Sequence, residues 1–477
     1  AMPYLFKEMQ FPIYGSPLPL EMIGSKFDEH KMREHRALFR AISKRVPIKI
    51  GNDFEIEWMH VTHSIIDSSC IAIKTAAGTM IHTGDFKIDH TPYDGFPTDI
   101  HRLAHYGEEG VLVMTSDSTN SHSPGFTKTE KAVGPTFERI FATATGRVIM
   151  STFSSNIHRV AQAIEKALKY GRKICVIGRS MEKNLDISMT LGYIKFPKDQ
   201  FIEAHEINKY TDKEIMIVTT GSQGESMSAL YRMAIHEHRH VKIKPEDQII
   251  LSAKAIPGNE GSVSEIINHL LKAGAKVAYQ DFADIHVSGH AAQEEQKLML
   301  RLVKPKFFLP VHGEYNHALK HGETGVDCGV LERNVYVMAD GEQIEVNPKY
   351  LKKVKTVKSG KVYIDNQLNH KISDDVVIDR QTMAKEGIVM IVAQINENDR
   401  TLASKPKVAT FGFISDKQDR FFTNEIEEIL NTFLVNAKPG IFKNSRILED
   451  ELRKVVRKHC VRKYKKYPMI VPTIFVQ

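Results

Sequence analysis

Apolar and polar residues alternate in Phe54-Glu55-Ile56-Glu57-Trp58, the spacing of a half-buried strand. Ile71-Ala72-Ile73 continues the pattern, and Met80-Ile81-His82 runs into a tight Thr83-Gly84-Asp85 turn. Between about 147 and 290 the period changes. Arg147-Val148-Ile149-Met150 reads as a strand, and residues 155–170 place Ile157, Val160, Ala161, Ile164 and Leu168 at helical spacing. Gly171 stops that helix before the strand Lys173-Ile174-Cys175-Val176-Ile177. The unit returns at Ile215 to Val218, and again as a helix over 263–273 leading into Lys276-Val277-Ala278-Tyr279. Such alternation predicts a parallel sheet flanked by helices.

Residues 293–303 have helical spacing, and Lys306-Phe307-Phe308-Leu309-Pro310-Val311 reads as a strand ending at His312. Past about 345 the chain becomes Lys-rich and irregular. A last α+β domain begins near Gly387: strand 388–392, helices 425–436 and 446–459, and a closing strand 469–476. A length of 477 residues is enough for two or three domains, each with its own core. No fixed-period repeat is visible.

Composition narrows the class. The apolar and charged fractions are those of a globular protein, and no apolar run approaches the roughly 20 residues that span a bilayer. A cytoplasmic location is expected. Cys70, Cys175, Cys328 and Cys460 are too scattered for a CxxC clip, which argues against zinc ribbons and thioredoxin-like chemistry. The net charge of +7 tolerates a polyanionic partner without requiring one. Eight of the fourteen residues from Arg453 to Lys466 are Lys or Arg. Leu452, Val455, Val456 and Val461 are expected to face a core there, behind a solvated cationic face.

Candidate chemistry gathers at strand ends, where β/α folds put it. Three such places are Thr62-His63-Ser64, His82-Thr83-Gly84-Asp85 and Pro310-Val311-His312-Gly313-Glu314. Imidazole nitrogen and carboxylate oxygen suit zinc or manganese, and one carboxylate can bridge two cations. A lone histidine at a strand end is more often structural; together the three carry weight. Asp284-Ile285-His286-Val287-Ser288-Gly289-His290 precedes the 293–303 helix, so its Ser-Gly pair would offer helix-start amides to a phosphate. Thr219-Thr220-Gly221-Ser222-Gln223-Gly224-Glu225 is a second phosphate-cradle candidate, or an ordinary Gly-rich turn. His236, His238 and His240 form an HxHxH string in a polar loop without a partner carboxylate, and are read as a decoy.

These motifs, with Phe86, Ser116-Asp117-Ser118-Thr119, Tyr315, Ser151-Thr152-Phe153-Ser154-Ser155-Asn156-Ile157-His158-Arg159 and Ile256-Pro257-Gly258-Asn259, resemble the bacterial ribonuclease J family from end to end. That family is the β-CASP branch of the metallo-β-lactamase fold. The resemblance implies an α/β chain. An αββα metallo-β-lactamase domain (1–130 and 296–370) would carry an inserted β-CASP domain (131–295). A linker (371–386) and a C-terminal oligomerisation domain (387–477) would follow. It further implies a metal-dependent ribonuclease, 5′-to-3′ exonuclease and endonuclease, using a hydroxide held by two divalent cations. Zinc comes first among these, with manganese or magnesium as alternatives.

The roles it implies are specific. His63 and His312 are metal ligands, Asp85 bridges the cations, and Asp117 stands beside them. His290 contacts the scissile phosphate and protonates the leaving oxygen. His286, Ser288, Gly289, His290 and Ser222 bind substrate, with His286, Ser288 and Ser222 around a 5′-monophosphate. The implied partners are RNA, further copies of the chain in a homodimer or homotetramer, and an RNA helicase or paralogous subunit, with no membrane. The family's HxHxDH motif, which supplies its other ligands, occurs nowhere in this sequence. It is expected immediately upstream of Ala1, in a longer protein. The alternative reading is a metal-less RNA-binding or scaffolding subunit; a small-molecule hydrolase is a third.

Overall fold

The computed structural model describes residues 2–279, 284–365, 371–438, 441–442 and 444–476. It divides into two compact units, 1–358 and 359–477.

The first unit holds two large sheets besides two small two-stranded ones. One has six strands in the order Phe307–Val311, Val113–Asp117, Gly78–His82, Ser69–Thr75, Phe54–His60, Ile48–Ile50. The first three are mutually parallel, and Phe54–His60 points the same way because two antiparallel steps separate it from Gly78–His82. Their apolar positions (Met59, Ala72, Ile81, Met114, Phe308) meet Leu103, Tyr106, Met299, Leu300 and Val303 from the covering helices. Each large apolar side chain so buried contributes about 1.5–3 kcal/mol.

The second sheet is the expected parallel one. Its order is Lys276–Ala278, Gln248–Leu251, Val148–Ser151, Ile215–Thr219, Lys173–Ile177, and every pairing is parallel. Helices Ile157–Lys169 and Arg179–Thr190 pack on one face and Ala229–Ala234 and Glu260–Lys272 on the other, each over its own apolar cluster. Both faces being covered, the strands read as continuous apolar runs.

The Lys-rich stretch past 345, expected to be irregular, contains the strand Leu351–Thr356, antiparallel to Glu342–Val346. Cross-strand pairs explain it: Lys353 meets Glu342 and Lys352 meets Glu345.

In the second unit, Ile388–Asn396 pairs along its length with the parallel strand Met469–Val476. It also pairs antiparallel with Lys407–Phe411 and Thr401–Leu402. Its buried face (Val389, Ile391, Ala393, Ile395) packs on Phe422, Ile426, Leu430 and Leu434 of one helix and Leu448, Leu452, Val456 and Cys460 of another. These helices, Asp416–Asn436 and Ser445–Tyr464, extend beyond the expected 425–436 and 446–459. Val455, expected to face the core, is instead exposed. Residues 371–386, expected as a linker, contain the helix Asp374–Glu386. It buries no residue and therefore lacks the apolar stripe by which a helix is read; Asp374 and Asp375 suit its N-terminal dipole.

Candidate active site

Strand direction assembles the site. His82, Asp117 and Val311 end the three parallel strands, Val311 sits opposite Asp117 in register, and His60 ends its strand at the same edge. The segments carrying His63, Asp85, Asp117 and His312 therefore leave one sheet edge together. Local contacts then set each side chain. The Lys87 amide donates to the Thr62 carbonyl (2.8 Å), tying the Asp85 turn to the residue before His63. The Asp117 amide donates to Thr83 Oγ1 (3.2 Å), tying the same turn to the next strand. Gly84 has φ +60°, and a Cβ there would stand 2.8 Å from the Ser69 carbonyl, so the turn needs glycine. His312 itself takes a left-handed φ of 64° before Gly313, a costly conformation for a residue with a Cβ and one that recurs at functional sites.

Asp85 lies between two imidazoles. Its Oδ2 is 3.9 Å from His63 Nε2, and its Oδ1 is 3.6 Å from His312 Nε2. His63 Nδ1 donates to the Gly289 carbonyl (2.7 Å), which fixes the proton there and leaves the Nε2 lone pair facing Asp85. Burial lowers the pKa of His63, favouring this neutral ring. Asp85 and His312 are about half exposed, so the cluster opens to solvent on their side.

His290 completes the group. Its Nδ1 is 2.7 Å from Asp117 Oδ2, and its ring lies 5.0 Å from that of His63 and 5.6 Å from that of His312, centroid to centroid. Possible donor atoms of His63, Asp85 and His290, and of Asp117, His290 and His312, lie within 4.8 Å of one another. Burial would raise the pKa of Asp117, but the hydrogen bond and charge of His290, with the Thr119 donors, hold it at about 2. Burial would lower that of His290, and Asp117 raises it above the ordinary value. Asn120 Nδ2, which the sequence did not single out, donates to Ser288 Oγ (2.8 Å) and the His290 carbonyl (2.9 Å), anchoring this loop to the sheet edge.

The remaining candidates divide. Ser288 Oγ accepts from Asn120 and from the His290 amide (3.2 Å), which leaves its hydroxyl proton to donate. Gly289 gives its carbonyl to His63. His286 meets Arg159 rather than the cluster around Asp85. Ser222 is buried in the loop after Ile215–Thr219, at the C-terminal end of the parallel strands, and among the described residues no hydrogen bond joins it to His286 or Ser288. Contrary to the expectation from sequence, the Ser288-Gly289 pair does not open a helix. The helix begins at Gln293, and the Ala292, Thr127 and Ile88 amides beside that start all go to the buried Glu295 carboxylate. His238 of the HxHxH string accepts from the Val241 amide (3.1 Å), a structural use of its ring.

His82 joins the site although its own role was not read from sequence. Its Nδ1 is 2.8 Å from Thr115 Oγ1, and it feels the charges of Asp85, Asp117 and His312.

Comparison with known proteins agrees with this architecture. Residues 145–270 match the ribonuclease J β-CASP domain, and residues 274–337 match a Zn-dependent metallo-hydrolase RNA specificity domain. Residues 375–476 match the ribonuclease J C-terminal domain. Ribonuclease J of Helicobacter pylori is 58% identical over 471 residues, covering 99% of this chain and 68% of that protein. Ribonuclease J 1 of Streptococcus pyogenes is 37% identical, covering 99% of this chain and 84% of its own length. Ribonuclease J of Thermus thermophilus is 36% identical, covering 99% and 81%. With its metallo-β-lactamase sheet, inserted parallel-sheet domain and C-terminal domain, the chain belongs to the ribonuclease J family.

Proposed function

We propose that this chain is a metal-dependent ribonuclease in which His63, Asp85 and His312 supply part of the ligand set of a pair of divalent cations, beside which RNA is cut. The observation that carries the proposal is Asp85, with one oxygen toward each of two imidazoles. The donors fit such cations. His63 is held in the tautomer that presents Nε2, and Asp85 has an oxygen for each side, as a bridging carboxylate does. Zinc suits this mixture of imidazole and carboxylate best, with manganese or magnesium next. When bound, such a pair makes water nucleophilic at neutral pH and offsets charge on a phosphate.

The chain's own groups supply the proton. Asp117 accepts from His290 Nδ1 and favours the protonated ring, so His290 can hold a proton at Nε2 for the departing oxygen of the scissile bond. His286 and Ser288, with the Gly289 amide, offer N–H and O–H donors to a 5′-monophosphate, and Ser222 is assigned to the same phosphate. RNA is then trimmed 5′ to 3′ and also cut internally. Chains assemble through residues 387–477 as a homodimer or homotetramer. A groove of about 940 Å³ whose lining includes Ile429, Phe433, Ile447 and Val455 supports that reading. An RNA helicase or a paralogous subunit is a further partner. Among the described residues no helix is long and apolar enough to cross a membrane. The test is RNA cleavage by the full-length protein: 5′-monophosphorylated RNA should be trimmed faster than triphosphorylated RNA, and both trimming and internal cutting should vanish in Asp85→Ala. Cleavage that survives Asp85→Ala would end the proposal.

A further inference from the structure

Arg159 is fully buried in the first turn of the helix Ile157–Lys169, and every N–H of its guanidinium has a partner. Nε and Nη2 form a paired contact with the Glu130 carboxylate (2.8 and 2.9 Å), and Nη2 also donates to the Val287 carbonyl (3.0 Å). Nη1 donates to His286 Nδ1 (2.8 Å) and reaches the Ser252 carbonyl and hydroxyl (both 3.4 Å). One side chain thus joins the approach to the inserted domain (Glu130), the edge of its parallel sheet (Ser252) and the loop that ends in His290.

A guanidinium has donors only and is always charged. Its bond to His286 Nδ1 therefore requires the lone pair on that nitrogen, and a neutral ring then carries its proton on Nε2. We infer that Arg159 is a positioning residue that locks His286 as a neutral Nε2–H donor toward the 5′-phosphate of the substrate. The inference rests on the pocket reading given above. It excludes two other uses of His286. A ring without an Nε2 lone pair is no metal ligand in this state, and a ring that stays neutral is no proton donor in catalysis. The surroundings agree. Burial first, then the cations of Arg159, Lys254 and Lys87, push the ring's pKa down to about 3, although a hydrogen bond with the Ser252 backbone raises it. A neutral donor keeps its hydrogen bond to phosphate throughout the neutral range, where an ordinary histidine would be losing its charge.

Two measurements on the full-length protein test this. In ¹⁵N-histidine-labelled protein, with His286 assigned by comparison with His286→Gln, the ring should show Nδ1 unprotonated and Nε2 protonated, without titrating from about pH 5 to 8. This reading needs no variant of the buried arginine. A proton on Nδ1, or titration near the ordinary value, overturns the assignment. In Arg159→Lys, the cation beside Glu130 is kept but one ammonium cannot reproduce the planar fork. KM for 5′-monophosphorylated RNA should rise about tenfold, with kcat within about twofold and KM for 5′-hydroxyl RNA unchanged. An equal rise for both RNAs overturns the inference. Equal KM values for the two RNAs in the unsubstituted protein would instead remove the pocket reading, and the proposed purpose of the lock with it, whatever the ring's tautomer.

Discussion

His290 Nδ1 lies 2.7 Å from Asp117 Oδ2, while the other Asp117 oxygen accepts from the Thr119 amide (2.9 Å) and hydroxyl (2.7 Å). The carboxylate is thereby fixed before it meets the imidazole, and the imidazole is oriented in turn. Residues that act through one another in this way should lose activity together, not additively. Asp117→Asn and His290→Ala are each expected to lower kcat for RNA cleavage by about 10²–10³-fold, and the double variant to be little worse than the weaker single one. Steady-state cleavage rates, with circular dichroism to check the fold, decide this. Losses that multiply would show two independent residues.

Gly289 and His63 are in close contact. A Cβ at 289 would stand 2.6 Å from His63 Nδ1 and 2.7 Å from Ser64 Oγ, so any side chain there must move the imidazole or the loop. Gly289→Ala should weaken divalent-metal affinity by about 10–100-fold, as loss of a ligand's orienting partner does. Titration against a chelating indicator measures it. Unchanged affinity would mean that the Gly289 carbonyl does not set the position of His63.

Acid should unfold the protein partly through His321. This ring is fully buried against Phe308, its Nδ1 lies 3.1 Å from Ser118 Oγ, and burial holds its pKa down to about 3. In the unfolded chain a histidine titrates near about 6.5. Between these values the unfolded state binds a proton that the folded state refuses. The contribution is therefore whole above the unfolded value and is lost as pH falls from there toward the folded one, at up to about 1.4 kcal/mol per pH unit. Urea unfolding of His321→Leu should show a shallower dependence of stability on pH between about 4 and 6, by close to one proton. The same slope in both proteins would rule this out.

The sequence showed the sheets and the clustered histidines and aspartates more readily than it showed what holds them. The strands at 173–177 and 215–219 are continuous apolar runs covered on both faces, and the helix at 157–169 keeps a clear apolar stripe. Their period is visible in the chain. Val113–Asp117 is also wholly buried, but Thr115, Ser116 and Asp117 make three of its five residues polar, and a run that spends its end on the site loses the apolar signature of a central strand. Gln293–Val303 was legible as a helix, but not the use of its start, because the carboxylate that occupies the nearby amides comes from Glu295 within its own first turn. Asn120, Arg159 and His82 act through contacts that span long stretches of chain, 170 positions between Asn120 and His290, and no local spacing announces such a pairing.

His63, Asp85 and His312 are proposed to supply ligands to one metal pair. The direct measurement is the metal content of the full-length protein by mass spectrometry, beside Asp85→Ala purified in the same way. About two divalent ions per chain are expected in the first and a clear deficit in the second, with both folded. A metal-free native protein, or an Asp85→Ala variant that keeps its full complement, would contradict it.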